Sequence, residues 1–265
     1  MNYLVYCIFR AREGVSDGLP PGVDGAKVSR VAARGLAASF SRVRPQDAVP
    51  SVPRVQAYAR VIEALHKRHT VLPMRYGCEL STRAQLVELL CERRAEFQAA
   101  LDEVEGCVEL SIRVLLKKTE VPAPTDVGPA PGPSPGQAYL AKRKAWYVDQ
   151  DHQWNEAAAA ARRMENAFDG LFLRCVTEPP RPGREQLLTL HFLVQRKDQE
   201  PFRQEFHRLE KSAPERLLLT GPWPPYNFTS CPQATLALDQ TRSAFSLNLP
   251  VKTASAPPSS RQETP

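Results

Sequence analysis

The sequence predicts an α+β protein with two folded domains, and three observations carry that prediction. Its 265 residues suffice for about two hydrophobic cores of ordinary size. Segments of strand period and of helix period follow one another through residues 2–228 without settling into one class. Its 25 prolines exceed average usage and cluster, which leaves long stretches free to form regular structure.

The N-terminal domain, residues 1–105, reads βββαβα. Residues 3–9 are apolar and rich in aromatic and β-branched side chains, as expected of a central strand. Residues 12–25 collect Gly, Pro and Asp and read as a surface loop. Strands at 27–33 and 36–43 flank Arg34-Gly35, where the glycine can take the positive φ of a hairpin turn. A helix begins near Pro53, a residue tolerated in a first turn. Val55, Tyr58, Ile62 and Leu65 form its apolar stripe, while Arg54, Arg60, Glu63 and Lys67 face away. Residues 70–77 read as a strand, with Pro73 marking an edge or a bulge. Ser81 or Thr82 then caps one long helix whose stripe, Leu86, Leu90, Phe97, Leu101 and Val104, ends near Gly106.

The second domain, residues 106–228, opens with a strand at 107–116. Val108, Leu110, Ile112 and Val114 lie on one face of it, and Glu109, Ser111 and Arg113 on the other. The run PAPTDVGPAPGPSPG at 122–136 can form neither helix nor sheet. It reads as an insertion, about 119–136, that interrupts a domain. A helix at 138–168, strands at 171–176 and 186–194, a helix at 199–211 and a strand at 216–220 follow. Strand, helix, strand, strand, helix, strand is the ferredoxin-like order, so the second domain is predicted to be ferredoxin-like, βαββαβ. Residues 229–265 lack periodicity and read as a disordered tail with no assigned role.

The last strand carries the most specific stretch, Leu217-Leu218-Leu219-Thr220-Gly221-Pro222-Trp223-Pro224-Pro225-Tyr226-Asn227-Phe228. The leucines suit a short, fully buried strand, which Gly221 and Pro222 should end. The prolines restrict their own φ and that of their predecessors, so Trp223 and Tyr226 stand on a stiff track with little entropy left to lose. One reading makes these rings a cap on a core. The other makes Trp223, Pro224, Pro225 and Tyr226 a protein-docking surface as well.

Little in the chain points to catalysis. Lys and Arg number 35 against 29 Asp and Glu, for a formal +6 and a pI near 9.1, with charges of both signs mixed along the helices. Six scattered cysteines without a C-x-x-C pair read as reduced thiols of a cytosolic protein. No secretory leader is apparent, no apolar run approaches the length of a membrane span, and the Asn227-Phe228-Thr229 sequon is taken as chance. His66 and His69 have no nearby ligand partners and read as complements to a helix C-terminus, not as a metal site. His191 and His207 adjoin no candidate nucleophile. Tyr139 and Leu140 read as anchors for the long helix beside the cations Lys142, Arg143 and Lys144. Trp146 and Trp154 share a face of that helix. No phosphate loop, nucleophile elbow or H-E-x-x-H occurs. The expectation is a protein that is not an enzyme, with no cofactor and no metal. A basic ferredoxin-like RNA-binding protein stays open as the alternative, although Phe172 and Phe192 are nearly the only aromatics on the strands concerned.

Three ordered motifs across residues 2–228 resemble the gas vesicle protein F/L family. They are the strand Val71-Leu72-Pro73-Met74-Arg75-Tyr76-Gly77, the helix start Tyr139-Leu140 with its basic residues, and the terminal Gly221-Pro222-Trp223-Pro224-Pro225-Tyr226. Tyr76 stands where the family typically has Phe and Cys78 where it has Thr. Tyr58-Ala59 occupy the place of a usual His-Glu pair, so that pair's contribution does not carry over. The resemblance implies a non-enzymatic accessory or minor structural protein of gas vesicle assembly, a ferredoxin-like second half with a variable insertion, and a location in the cytoplasm at the gas vesicle. The partners it implies are the main shell protein and other gas vesicle accessory proteins. It leaves F-type and L-type undivided. No membrane is implied as a partner, and nucleic acid is not expected as one.

Overall fold

The computed structural model describes residues 1–11, 18–44, 49–116, 135–180 and 186–229. Most of the expected insertion and of the expected tail lies outside them. Helix and sheet are mixed. The order is β1 (Asn2–Arg10), β2 (Val28–Ala33), β3 (Leu36–Val43), α1 (Val52–His66), β4 (Val71–Pro73), β5 (Glu79–Leu80), α2 (Arg83–Glu92), α3 (Arg94–Glu103), β6 (Cys107–Leu115), α4 (Pro135–Ala167), β7 (Arg174–Glu178), β8 (Leu187–Gln195), α5 (Gln199–Ser212) and β9 (Arg216–Trp223). The chain divides into two compact units. The first holds Met1–Glu109, Leu193–Arg196 and the described residues from Gly221 on, and the second holds Leu110–Phe192 and Lys197–Thr220.

In the first unit the sheet runs β2-β3-β1-β4, with β5 also on β1. Leu4 to Phe9 are buried without interruption, because β1 is flanked by strands on both edges and packed on its faces. Its antiparallel register with β3 slips between Val5 and Cys7, which makes Tyr6 the extra residue of a bulge. The β2–β3 turn places both Arg34 (φ 48°) and Gly35 (φ 83°) in the left-handed region, the geometry of a two-residue type I′ turn. Pro73 lies on the edge strand β4, where its missing N–H costs nothing.

Several sequence expectations are corrected here. The predicted strand at 70–77 shrinks to Val71–Pro73, and the two-residue β5 follows. The long helix after Thr82 is two helices, broken at Arg93 (φ −101°, ψ 23°). Arg93 reaches back over the start of the second helix, donating to Glu96 at 2.7 Å with its guanidinium 5.3 Å from the Phe97 ring. Thr82 is the cap, through a reciprocal pair with Gln85. On α1 the buried stripe is Ala57, Tyr58, Val61, Ile62 and Leu65, while Val55 is exposed.

His66 is also corrected. It is buried beside Arg196, whose Nη2 lies 3.2 Å from His66 Nε2 and donates to the His66 carbonyl at 2.6 Å. Burial, and then the Arg196 charge, lower its pKa from 6.5 to about 4, so at neutral pH it brings no charge to the helix end. The unfolded chain takes up this proton first as pH falls. His66 therefore contributes its full stability above about pH 6.5 and loses it progressively down to about pH 4. A His66→Gln variant is expected to show a flatter fall of urea midpoints between pH 7 and 4 than the parent chain. Equal slopes would remove His66 from the acid response.

The second sheet runs β7-β8-β6-β9. With its connections this is the ferredoxin-like arrangement. In the second unit Phe168 stacks on Phe202 at 4.2 Å, and Phe192 meets both at 5.6 and 5.3 Å. These rings bring α4, α5 and β8 to one side of the sheet. Ala157, Ala160, Ala161 and Met164 of α4 are buried. The predicted anchor Leu140 is instead exposed, as is Trp154, and the side chains of Tyr139 and Trp146 lie outside the described residues. The strand expected at 171–176 begins three residues later, after Gly170 takes a positive φ and Leu171 N–H closes a turn on Phe168. Among the described residues no helix is long and apolar enough to cross a membrane.

Candidate functional site

The terminal signature differs from its expectation in two ways. Leu217 and Leu219 are half-buried and Leu218 is exposed, because β9 is an edge strand and not an interior one. For the same reason β9 continues through Pro222 to Trp223, since an edge strand tolerates a residue without an N–H on its open side.

Residues 221–229 belong to the first unit. Pro224, Pro225 and Phe228 are buried, whereas Trp223 is 39% and Tyr226 40% exposed. Of the four predicted docking residues, the prolines are therefore the buried support and the two rings are the surface. The turn is closed by its own backbone: Tyr226 N–H donates to Pro224 O at 2.7 Å, and Phe228 N–H to Pro225 O at 3.3 Å. Thr229 Oγ1 donates to the Pro225 carbonyl at 3.2 Å.

A carboxylate holds this turn. Glu109 on β6 is 3% exposed. It accepts from Asn227 N–H at 2.9 Å and from Asn227 Nδ2 at 2.7 Å, a two-point clamp with fixed geometry. Sequence reasoning missed it. The available signal was an acid in a strand between Val108 and Leu110, a position that is costly unless the acid has partners. Burial first, with Glu63, Cys7 and Glu109 adding to it, raises the Tyr226 phenol above its ordinary pKa, so the ring is presented uncharged.

Beneath these rings the first unit is knitted by tyrosines. Tyr58 packs 4.9 Å from Tyr6 and 5.2 Å from Tyr76. Its hydroxyl donates to the Val5 carbonyl at 2.6 Å and lies 3.0 Å from that of Met74. Helix α1 is thereby pinned to the central strand and to the chain after β4. Burial pushes the phenol well above its usual range, so it stays a donor.

His191 has a hydroxyl neighbour that sequence reasoning did not identify. In the second unit Ser111 Oγ lies 2.9 Å from His191 Nδ1, and Glu178 Oε2 lies 3.8 Å from Nε2. Ser111 is buried in mid-strand. The pair serves as a polar contact across the sheet. Phe192 is buried, and the half-buried Phe172 packs on it edge to face at 5.1 Å, which weakens the aromatic argument for RNA binding. Cys7, Cys78, Cys91, Cys107 and Cys175 are free thiols, and burial raises Cys7 to about 12, leaving it inert. Among the described residues no group of three or more His, Cys, Asp or Glu could hold a metal ion.

Comparison with known proteins places these features among relatives. The family described as gas vesicle synthesis protein GvpL/GvpF matches residues 2–230. Gas vesicle protein L of Streptomyces sp. (strain CB03234) is 25% identical over 249 residues, covering 84% of this chain and 91% of its own. The crystal structure of GvpF from Anabaena sp. PCC7120 superposes with a TM-score of 0.68 at 18% identity, over 86% of this chain and 97% of that one. GvpF from Microcystis aeruginosa gives 0.67 at 13% identity, over 86% and 98%.

Proposed function

Because this chain belongs to the GvpL/GvpF family, with its gas vesicle accessory role, we propose that it assists gas vesicle assembly in the cytoplasm by binding the main shell protein and other accessory proteins through Trp223 and Tyr226. The observation that carries this reading is the pair of half-exposed rings on a buried Pro-Pro support, clamped from below by Glu109. A protein shell that excludes water needs subunits with an apolar face, and such a face aggregates before it is assembled. Two preordered aromatic rings can cover part of it with little entropy left to lose on binding. The chemistry called for is non-covalent and needs no cofactor.

The test is co-expression with the shell protein, capture of the tagged chain and a high-salt wash. Retention through the wash is expected. Trp223→Ala with Tyr226→Ala is expected to weaken binding at least about tenfold and, because each ring is more than half buried, to lower the melting temperature while leaving the chain folded. Unchanged retention by a folded double variant would leave the motif structural only. Release by salt, with nucleic acid in the low-salt eluate, would favour a basic binder instead.

A further inference from the structure

Helix α4 carries an apolar stripe that is buried at one end and exposed at the other. Tyr139-Leu140, Trp146-Tyr147, Gln153-Trp154 and Ala160-Ala161 recur at intervals of seven, and Phe168 stands seven after Ala161. Seven residues are close to two turns, so these positions fall along one side of the helix. Towards the C-terminal end that side is buried, with Ala157, Ala160, Ala161, Met164 and Phe168 at most 8% exposed. Towards the N-terminal end Leu140 is 64% and Trp154 40% exposed. Pro135 to Trp154 spans about 30 Å of helix. A helical stretch of that length with its apolar side in water calls for a packing partner.

The charges beside the stripe identify that partner. Lys144 and Asp151, seven apart, lie along one flank, and Lys142 and Asp149, also seven apart, along the other. None of the four has a Lys, Arg, Asp or Glu of opposite sign three or four positions away, the spacing at which a helix pairs its own charges. A partner of one sign would suit the lysines or the aspartates and repel the others. A second copy of the same helix suits both when it runs antiparallel and crosses the first between Trp146 and Tyr147. Lys144 of each copy then faces Asp151 of the other, and Lys142 faces Asp149, while the apolar positions meet along the seam. A parallel pair would set lysine against lysine.

We propose that α4 pairs antiparallel with α4 of a second copy of this chain, along the stripe from Tyr139 to Trp154, and so forms a symmetric dimer. The pairing is separate from the surface at Trp223 and Tyr226, and either can fail without the other.

Sedimentation velocity on the full chain should show the average mass rising from near 29.6 kDa towards twice that value as concentration increases. Lys142→Asp with Lys144→Asp, and Asp149→Lys with Asp151→Lys, should each weaken self-association at least about tenfold. An equimolar mixture of these two variants should restore a dimer, and so should all four changes in one chain. Leu140→Ser with Trp154→Ser should weaken the dimer with no such rescue. Thermal melts followed by circular dichroism confirm that each variant folds, and the fourfold variant keeps the net charge of the parent. A parent chain that stays monomeric at every soluble concentration would overturn the proposal. So would a dimer that the charge reversals leave intact, or one that neither the mixture nor the fourfold variant restores.

Discussion

Glu109→Ala is expected to destabilise the fold by about 3 kcal/mol, because two donors of Asn227 lose their buried acceptor and a cavity opens on β6. The larger consequence is local. Without the carboxylate, the turn loses two bonds to β6 and retains those within itself, Tyr226 N–H to Pro224, Phe228 N–H to Pro225 and Thr229 Oγ1 to Pro225. Amide exchange across residues 226–229 should accelerate well beyond the global change. Glu109→Gln should fall between the two, since the amide keeps one acceptor but turns an NH2 towards a donor. Asn227→Ala is the matching partner variant. A double-mutant cycle on the pair should give a coupling of at least about 1 kcal/mol, and additive losses would mean that Glu109 stabilises the chain by some other route.

The same variant separates positioning from contact. If Trp223 and Tyr226 bind a partner, Glu109→Ala should weaken that binding while both rings remain in the sequence. The loss comes from ordering entropy, which the clamp has already removed in the parent chain. Adding a disulfide or another constraint across the turn should then restore part of the affinity, which a lost direct contact would not allow.

Most of the architecture was legible because it rests on period and punctuation. Val28 to Val43 alternate around Arg34-Gly35, and the hairpin follows. Phe202 and Phe206 sit one turn apart on α5, and they are the face it buries. The failures share a different cause. The burial of Leu217 to Leu219 depends on where β9 stands in the sheet, which no local pattern encodes. The partners of Glu109 and of Ser111 are 118 and 80 positions away in sequence, so their significance emerges only when the strands are side by side. His66 read as a helix-end cation until Arg196, 130 positions on, was brought against it. Trp223 and Tyr226 were identifiable as a stiff aromatic pair, whereas which neighbours lie beneath them was decided by tertiary packing.

Gly22→Ala should be the most damaging single methyl addition in the first unit, at about 3–5 kcal/mol. The cause is space, since Gly22 has φ −77° and ψ −160°, an extended conformation open to any residue. A Cβ there would collide with the Tyr6 hydroxyl and stand 2.6 Å from Ser41 Oγ. Those atoms are not free to retreat. Val23 N–H donates to the Tyr6 oxygen at 3.1 Å, the Tyr6 hydroxyl donates to Ser41 Oγ at 2.9 Å, and Ser41 donates to the Lys27 carbonyl at 3.0 Å. Tyr6 is itself fully buried in the β1 bulge. Any shift that admits the methyl therefore breaks a relay of three bonds, two of them buried, and strands a donor at one end and an acceptor at the other. The decisive comparison is made in a Tyr6→Phe background, where the obstructing oxygen is gone. There Gly22→Ala should cost markedly less, so that urea midpoints for the pair are strongly non-additive. If the methyl costs the same in both backgrounds, the hydroxyl does not set the requirement for glycine, and the loop from Gly22 to Lys27 is held to β1 by something other than this relay.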